Sequence, residues 1–425
     1  MPKGKKGWSL STSAMSIGVL SFSLAIARND ITWSILSVFY LILVWRILTI
    51  GVGPNERRKI SSLSCLLVLW SSLPLLIGTS GFFKYWSGHL LLVEIAFVTL
   101  FSVFSVMIIL ILEKSTSFRS NSRFTNLFLY SFPVAAGAAR AISRFISDQF
   151  FETEFFHGNS HLMLELIIVT SISFYIGFIF RFYFSRSKYK MLIGMKNEEG
   201  RSSLLDIDKE DFLDFLNSIF SRFERSTMIS ISTVFQWGIY GVIIYGLIVD
   251  NHPVTVWAVF SFGISVIPEI ISRNSKNNFP AILYFWSTLV LFIFAVGRPL
   301  GFYSLSRWWA EITHLLSGSA VALLLFSFLM YIDDRSENLS LPNWLIPLLV
   351  ILFILPIGVF WEIAEFYVDL IFDSSVQPNL EDTGYDLIFN LIGAILSLLM
   401  ISFFTTVDFF SYYRKNLLKI LRSRS

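Results

Sequence analysis

The sequence predicts an all-α fold: a polytopic membrane helix bundle of about 12 transmembrane helices in two parallel six-helix repeats. The first observation is composition, because 54% of the 425 residues are hydrophobic and 15% are charged, against about 25% charged in soluble domains. The second is that apolar runs of about 18 residues or more recur along the whole chain, each long enough to cross a bilayer. The third is a set of landmarks repeated at a nearly constant offset.

The predicted spans follow the apolar runs, and the loops between them give the orientation. Lysine and arginine are concentrated at both termini and after even-numbered spans, whereas loops after odd-numbered spans include DQFFETEFFH and DSSVQPNLED. An excess of lysine and arginine marks the cytoplasmic side. We therefore predict a multi-pass plasma-membrane protein with cytoplasmic N- and C-termini. The spans are 12–28, 31–52, 60–80, 87–112, 125–145, 160–184, 228–249, 253–272, 279–298, 309–332, 343–372 and 383–407.

The repeated landmarks predict an internal duplication. LVLWSSLPLLIG resembles LYFWSTLVLFIF, and His89 and His314 follow these runs at an offset of 225 positions. Pro133 and Pro356 lie 223 positions apart, and HLMLE matches DLIFN at 225. Because each repeat contains an even number of helices, both enter the membrane in the same orientation, as in transporters with parallel repeats.

Three domains follow from this alignment. They are a degenerate N-terminal repeat over 1–184, a cytoplasmic linker over 185–227 and a C-terminal repeat over 228–425 that carries a polar motif. The linker stretch DKEDFLDFLNSIFSRFERS has aromatic residues at helical spacing on one face. It predicts an amphipathic helix on the inner membrane surface, or a solvated helix packed on the bundle.

The last three predicted spans each carry polar side chains on one helical face. One span ends outside and the other two begin there, so these side chains are expected at similar depth in the outer half of the membrane. Ionisable groups cost about 2.5–3.5 kcal/mol each at the centre of a membrane helix and usually face a bundle interior or a wet cavity. The candidate site residues are His314, Glu362, Glu365, Asp369, Asp382, Asp386 and Asn390.

This polar set has more than one interpretation. A buried hydrogen-bond network would pin the helices together, and Asp369 and Asp382 lie close enough to the interface for a solvated or capping role. A polar cavity open to the outside would instead bind a ligand. Close carboxylates could also share protons as a relay.

Carboxylates with an imidazole and an amide match a divalent cation such as Mg²⁺, Mn²⁺ or Zn²⁺, although no HExxH or similar metal spacing is present. The candidate metal ligands are Glu362, Glu365, Asp386 and His314. Arg298 and Arg307, in the loop before the predicted span 309–332, are candidates for binding an anionic headgroup or for neutralising the acids.

The first half has a mixed set of charges at the matching level. In the landmark alignment Ala139 matches Glu362, and His161 matches Asp386. We therefore predict that only the second repeat retains the ancestral site. The first-half set is His89, Glu94, Arg140, Arg144, Asp148, His161 and Glu165.

PIGVFWEIAEFYVDLIF followed by LEDTGYDLIFNLIGAIL resembles the signature of the YjdF-type family of uncharacterised prokaryotic inner-membrane proteins. His314 fits that family's upstream histidine, whereas Asn390 stands where members often carry a further acid. The resemblance implies one six-helix unit per family member, hence a tandem duplication here, and it implies no reaction. There is a looser likeness to VanZ-like membrane proteins. The residues that fit are Trp361, Glu362, Glu365, Asp369, Asp382, Thr383, Asp386, Leu387, Gly393 and Ala394.

Three functional classes stay open at this point: binding or transport of an ion or small polar solute, an enzyme acting on lipid-linked substrates at the outer leaflet, and a structural helix bundle. No nucleophile stands out, so no catalytic residue is predicted. The expected partners are the lipid bilayer and a small ion, solute or lipid headgroup. The net charge of +3 gives no sign of nucleic-acid binding, and one cysteine, Cys65, allows neither an internal disulfide nor a thiolate metal cluster.

Overall fold

The computed structural model describes residues 5–27, 30–49, 62–80, 89–185, 225–274, 281–306, 308–336 and 338–406. Within these ranges the chain is helical, without strands apart from one isolated bridge between Arg119 and Ser340. The all-α prediction is therefore confirmed for this part of the chain. Most of the predicted linker 185–227, and Arg307, lie outside the described residues.

The helices of the described ranges agree closely with the predicted spans. One further short helix precedes the helix at the predicted span 309–332. In chain order they are α1 (Lys5–Ala27), α2 (Ile31–Thr49), α3 (Ser62–Ser80), α4 (His89–Ser115), α5 (Ser122–Phe151), α6 (Asn159–Ser185), α7 (Arg225–Ile248), α8 (His252–Asn274), α9 (Ala281–Gly297), α10 (Phe302–Leu305), α11 (Trp309–Arg335), α12 (Leu345–Phe372) and α13 (Leu380–Thr406).

Six of these helices, α4, α6, α7, α11, α12 and α13, are long and apolar enough to cross a membrane. Shorter apolar stretches lie in α1, α2, α3, α8 and α9. Helix α5 belongs to neither group, since it contains Arg123, Arg140, Arg144 and Asp148. A membrane protein with several apolar helices is therefore confirmed, and the count of 12 spans stays a prediction.

The chain divides into two compact units. The first comprises Met1–Arg140, Ser160–Ser202 and Asp333–Pro342, and the second comprises Ala141–Asn159, Ser203–Ile332 and Asn343–Ser425. In the first unit α1 to α4 pack together around fully buried aromatic rings, including Tyr40, Phe97 and Phe104. Because the Tyr40 side chain is fully buried, its hydroxyl needs a partner inside the protein, and it bonds to Ser72 Oγ at 2.8 Å.

In the second unit α7, α8 and α9 pack against one another, and α12 packs against α13. Trp257 stacks on Trp361 at 4.9 Å, and Phe294 meets the same indole edge-on at 4.9 Å. This aromatic cluster fixes the face of α12 that carries Trp361. Helix α13 also contacts α11, and these two helices cross at Gly318 and Gly393.

Candidate functional site

His314, Glu362 and Asp386 lie together inside the second unit. Each offers one ligand atom, and these atoms all lie within 4.8 Å of one another. The three residues are 6%, 0% and 2% exposed, respectively. Three helices that are remote in sequence, α11, α12 and α13, thus each contribute one side chain to a single buried cluster, which we call the His–Glu–Asp cluster.

A backbone-to-backbone crossing of α11 and α13 places two of these side chains. A Cβ atom added to Gly318 would overlap the carbonyl oxygen of Asn390, and one added to Gly393 would overlap the carbonyl oxygen of Leu315. Small residues allow helices to approach this closely in membranes. The crossing lies one turn from His314, so the imidazole reaches α13 directly.

Two contacts orient the imidazole. Asn390 Nδ2 donates to His314 Nδ1 at 3.1 Å, and His314 Nε2 faces Asp386 Oδ2 at 3.3 Å. Because the Asn390 amide accepts or donates according to how it is turned, it decides which ring nitrogen carries the proton. With the amide in this orientation, the proton of a neutral imidazole lies on Nε2, toward Asp386 Oδ2.

The loop between α12 and α13 holds the carboxylate of Glu362. Gln377 Nε2 donates to Glu362 Oε2 at 2.8 Å. The loop itself is closed by Asp369, which accepts hydrogen bonds from the Ser374 hydroxyl and from the backbone N–H groups of Val376 and Gln377 at 2.6–2.8 Å. Asp369 is thus a loop-closing residue in this geometry, and it positions Gln377.

Two oxygen atoms of the cluster have no hydrogen-bond partner among the described residues. They are Glu362 Oε1 and Asp386 Oδ1, and both are buried. Buried acceptors are paired in the great majority of proteins, since an unpaired buried polar group loses its hydration without replacement. These two oxygens are therefore available to a cation or a water molecule.

Glu365 and Arg298 form a separate pair beside the cluster. Glu365 lies outside the group of three, and its carboxylate is 3.8 Å from Arg298 Nη2. The Arg298 guanidinium stacks over the Tyr303 ring at 4.9 Å. Burial raises the pKa of the Tyr303 phenol above its ordinary value of 10.0, and Arg298 opposes the rise. The phenol therefore stays protonated at neutral pH.

Acidic groups dominate the surroundings of Asp386. It interacts electrostatically with Glu362, Asp382, Glu365 and Glu311. Arg298 is the one basic side chain acting on Glu365 and Asp382 within the described residues. Among the described residues this region therefore holds more acidic than basic groups.

Sequence reasoning missed three contributors to this arrangement. Gln377 lies in a loop, and a loop glutamine carries no periodic signal. Glu311 stands one turn before His314 on α11, and that spacing could have identified it. Gly393 appeared only as part of a family signature, although paired small residues on neighbouring helices indicate a close crossing.

In the first unit, Arg140 joins two other members of the first-half set. Its Nη2 atom lies 2.5 Å from Glu94 Oε2 and 2.5 Å from Glu165 Oε1. Its guanidinium also lies over the Phe97 ring at 3.9 Å. The side chain of His89 is outside the described residues. We call this group the Glu–Arg–Glu cluster.

The geometry of the His–Glu–Asp cluster suits a cation bound by protein ligands. Ions of this kind bind nitrogen or oxygen at about 2.0–2.4 Å, so ligands on opposite sides are separated by up to about twice that distance. Separations of 4.8 Å or less match such a set. One imidazole and two carboxylates are the donors that borderline divalent metals bind.

One protein family has a sequence model that matches this chain, over residues 231–406, and it is described as "Predicted membrane protein (DUF2238)". The matched stretch contains the His–Glu–Asp cluster and covers less than half of the chain. The description names neither the YjdF-type family nor VanZ-like proteins, so those resemblances stay predictions. No curated protein and no solved structure matches the chain.

Proposed function

We propose that the chain binds a divalent cation within the membrane through His314, Glu362 and Asp386. The observation that carries this proposal is the pair of buried carboxylate oxygens without hydrogen-bond partners, Glu362 Oε1 and Asp386 Oδ1, in a cluster whose ligand atoms lie within 4.8 Å. Two carboxylates and a neutral imidazole carry two negative charges. A divalent cation neutralises them and supplies the missing partner.

The donor set favours Mn²⁺ or Zn²⁺ over Mg²⁺ or Ca²⁺. Magnesium and calcium prefer oxygen ligands, whereas an imidazole nitrogen suits transition metals and zinc. Three protein ligands leave further positions open for water or another ligand, as in non-structural metal sites. The proposal therefore names a borderline divalent cation.

Binding requires a lone pair on His314 Nε2, the nitrogen that faces Asp386. With Asn390 donating to Nδ1, the proton of the neutral imidazole sits on Nε2. Turning the Asn390 amide by half a turn places its oxygen against Nδ1, which then carries the proton and frees Nε2. Asn390 thus acts as the outer partner that metal-binding histidines normally have.

The cluster lies within one half of the helix length. At a rise of about 1.5 Å per residue, His314, Glu362 and Asp386 are about 8 to 15 Å from the ends of α11, α12 and α13 on that side. With cytoplasmic termini, which the charge of the loops supports, this is the outer side of the plasma membrane. We therefore place the cation in the outer half of the bilayer, within reach of the outside.

Local geometry supports a tandem duplication, at an offset of 220 or 221 positions where the sequence landmarks gave 223 to 225. Helices α4 and α11 end 220 positions apart, at Ser115 and Arg335. Helices α6 and α13 begin 221 positions apart, at Asn159 and Leu380. The same offset joins the last residues of α5 and α12, Phe151 and Phe372.

The loops that follow α5 and α12 support the same register. Each helix is followed by a residue in the left-handed region, Glu152 with φ 53° and Asp373 with φ 49°. Asp148 and Asp369 each accept hydrogen bonds from a hydroxyl five residues on and from backbone N–H groups seven and eight residues on. The donors are Thr153, Phe155 and Phe156 in one loop and Ser374, Val376 and Gln377 in the other.

Metal analysis of the purified full-length chain tests the proposal. After chelation and incubation with Mn²⁺ or Zn²⁺, the unmodified chain should retain one ion, and the Glu362→Gln, Asp386→Asn double variant should retain none. Glu381→Gln is the matched control, because Glu381 is exposed on α13 and lies outside the cluster. Equal metal content in the unmodified chain and the double variant would contradict the proposal.

A flux measurement separates transport from a fixed site. The chain is reconstituted into vesicles that contain a dye quenched by Mn²⁺, and Mn²⁺ is added outside. Entry that depends on Glu362 assigns transport of the cation. Retention of the ion without entry assigns a resident cation, which is the arrangement that an enzyme of the outer leaflet would need.

A further inference from the structure

The two clusters occupy corresponding places when the helices are aligned by their ends and loops. At an offset of 220, Glu94 on α4 corresponds to His314 on α11. At an offset of 221, Glu165 on α6 corresponds to Asp386 on α13. Each pair therefore joins the same two helices of a six-helix unit at the same height.

What fills the space between the paired side chains differs in the two halves. In the first, Arg140 Nη2 lies 2.5 Å from both carboxylates, so a single positive group bridges them. The two oxygens consequently lie within twice that distance of each other, which is the scale of the His–Glu–Asp cluster, 4.8 Å. The Glu–Arg–Glu cluster is also buried, with Glu94, Arg140 and Glu165 9%, 7% and 7% exposed.

We infer that the Glu–Arg–Glu cluster is the counterpart of the proposed cation site, with the Arg140 guanidinium in place of the free cation. The inference rests on the proposed function for its comparison. The first half then has a permanent positive charge of the chain between its two carboxylates, which leaves one negative charge on the cluster. Removal of that guanidinium exposes a carboxylate pair that takes a divalent cation from solution.

The residues around the two clusters differ from each other in the way that this inference requires. Arg140 lies over the face of Phe97, one turn beyond Glu94, and aromatic faces stabilise guanidinium groups. The position that corresponds to Phe97 is Ser317, whose hydroxyl is bonded to the carbonyl of Thr313. The position that corresponds to Arg140 is Trp361, so the corresponding positions of the second half hold neither the guanidinium nor its aromatic support, and Arg298 instead pairs with Glu365 outside the cluster.

The third ligand differs in the same way. Glu362, which completes the second cluster, corresponds to Ala141 at an offset of 221. A third carboxylate beside Glu94 and Glu165 would double the negative charge that one guanidinium leaves on the cluster. The first half thus has two acids with one fixed positive charge, and the second has two acids with a neutral ligand and no fixed charge in the cluster.

The test counts bound Mn²⁺ in full-length variants made in the Glu362→Gln, Asp386→Asn background, which removes the second cluster. Arg140→Gln in this background should bind one Mn²⁺ per chain. Arg140→Lys should bind none, because the ammonium keeps the fixed charge. Arg140→Gln combined with Glu94→Gln and Glu165→Gln should also bind none. Failure of folded Arg140→Gln to bind Mn²⁺ would overturn the inference.

A second measurement decides the case in which Arg140→Gln does not fold. The yield of folded variant is compared with and without Mn²⁺ during purification, beside the triple neutral variant. Rescue of Arg140→Gln by Mn²⁺ supports the inference, and a triple variant that folds while Mn²⁺ fails to rescue Arg140→Gln overturns it. The unmodified chain separates the two proposals: absence of Mn²⁺ there, with one ion in Arg140→Gln, refutes the second-half site alone.

Discussion

The crossing of α11 and α13 at Gly393 predicts that one added methyl group disturbs the candidate site. A Cβ atom at this position would overlap the Leu315 carbonyl oxygen and lie 2.9 Å from the Ser319 backbone nitrogen. These are backbone atoms of α11, so they cannot rotate away as a side chain could. The two helices must separate by about 1 Å before the methyl reaches ordinary contact distance.

The cost of Gly393→Ala can be worked from three terms. Overpacking of this kind costs about 1–3 kcal/mol, and loss of the hydrogen bond between Asn390 and His314 about 0.5–1.5 kcal/mol. Alanine in place of glycine within a helix returns about 1 kcal/mol. We expect a net destabilisation of about 2 kcal/mol. Displacement of an outer partner of a metal ligand should also weaken Mn²⁺ binding by about 10- to 100-fold.

A graded set of glycine-to-alanine variants provides the controls. At Gly241 a Cβ atom meets nothing within 4 Å, so Gly241→Ala should be neutral or stabilising. At Gly358 the nearest atoms are Leu387 Cδ2 at 3.4 Å and Asn390 Nδ2 at 3.5 Å, so Gly358→Ala should be close to neutral. Equilibrium unfolding in mixed micelles gives the stabilities. A Gly393→Ala chain as stable as Gly241→Ala would refute the reasoning.

Substitutions at three further positions probe the supports of the cluster. Asp369→Asn removes the charge from the acceptor of three loop hydrogen bonds and should lower the unfolding free energy by about 1–3 kcal/mol. The unfolding free energy is measured in the same micelles, and Asp373→Asn, at an exposed neighbouring position, is the control. Gln377→Leu leaves Glu362 Oε2 unpaired and should change Mn²⁺ affinity in equilibrium dialysis, whereas an unchanged affinity would separate the loop from the site. Asn390→Leu should weaken Mn²⁺ binding by about 10- to 100-fold, and Asn390→Asp should restore it, because a carboxylate also accepts from Nδ1; equal affinities would contradict the role of Asn390.

The all-helical class was predictable because hydrocarbon admits only a few solutions. A spanning segment must satisfy its backbone hydrogen bonds internally, so an apolar run of sufficient length already indicates a helix. The number of spans was less predictable. Helix α5 is regular from Ser122 to Phe151, yet its four charged residues make its composition unlike that of a lipid-facing span.

The members of the candidate site were predictable, and their grouping was not. Periodicity places Glu362 and Glu365 on one stripe of α12, but it cannot show which carboxylate meets which neighbour. That choice depends on where α11 and α13 cross, which is set by Gly318 and Gly393. It places Glu362 with His314 and leaves Glu365 with Arg298.

The sequence landmarks also could not determine the register of the proposed duplication. Apolar runs can slide by one helical turn with little change in similarity, so the landmark offset of 225 paired His161 with Asp386 and Glu165 with Asn390. The loops after α5 and α12 do not slide, since each is tied to one aspartate at fixed separations. They favour the pairing of Glu165 with Asp386.

The pairing of Glu165 with Asp386 suggests a common reason for the charged groups in both halves. A pair of carboxylates in the membrane interior is unstable until a positive charge neutralises it, and the charge has two sources. Arg140 supplies it from the chain, at the price of a position that can no longer exchange its cation. In the proposed register the second half has Trp361 at this position and its Arg298 pairs with Glu365, so we expect Glu362 and Asp386 to be neutralised by protons or by a cation from outside. We therefore expect cation exchange in the half in which this arginine is absent.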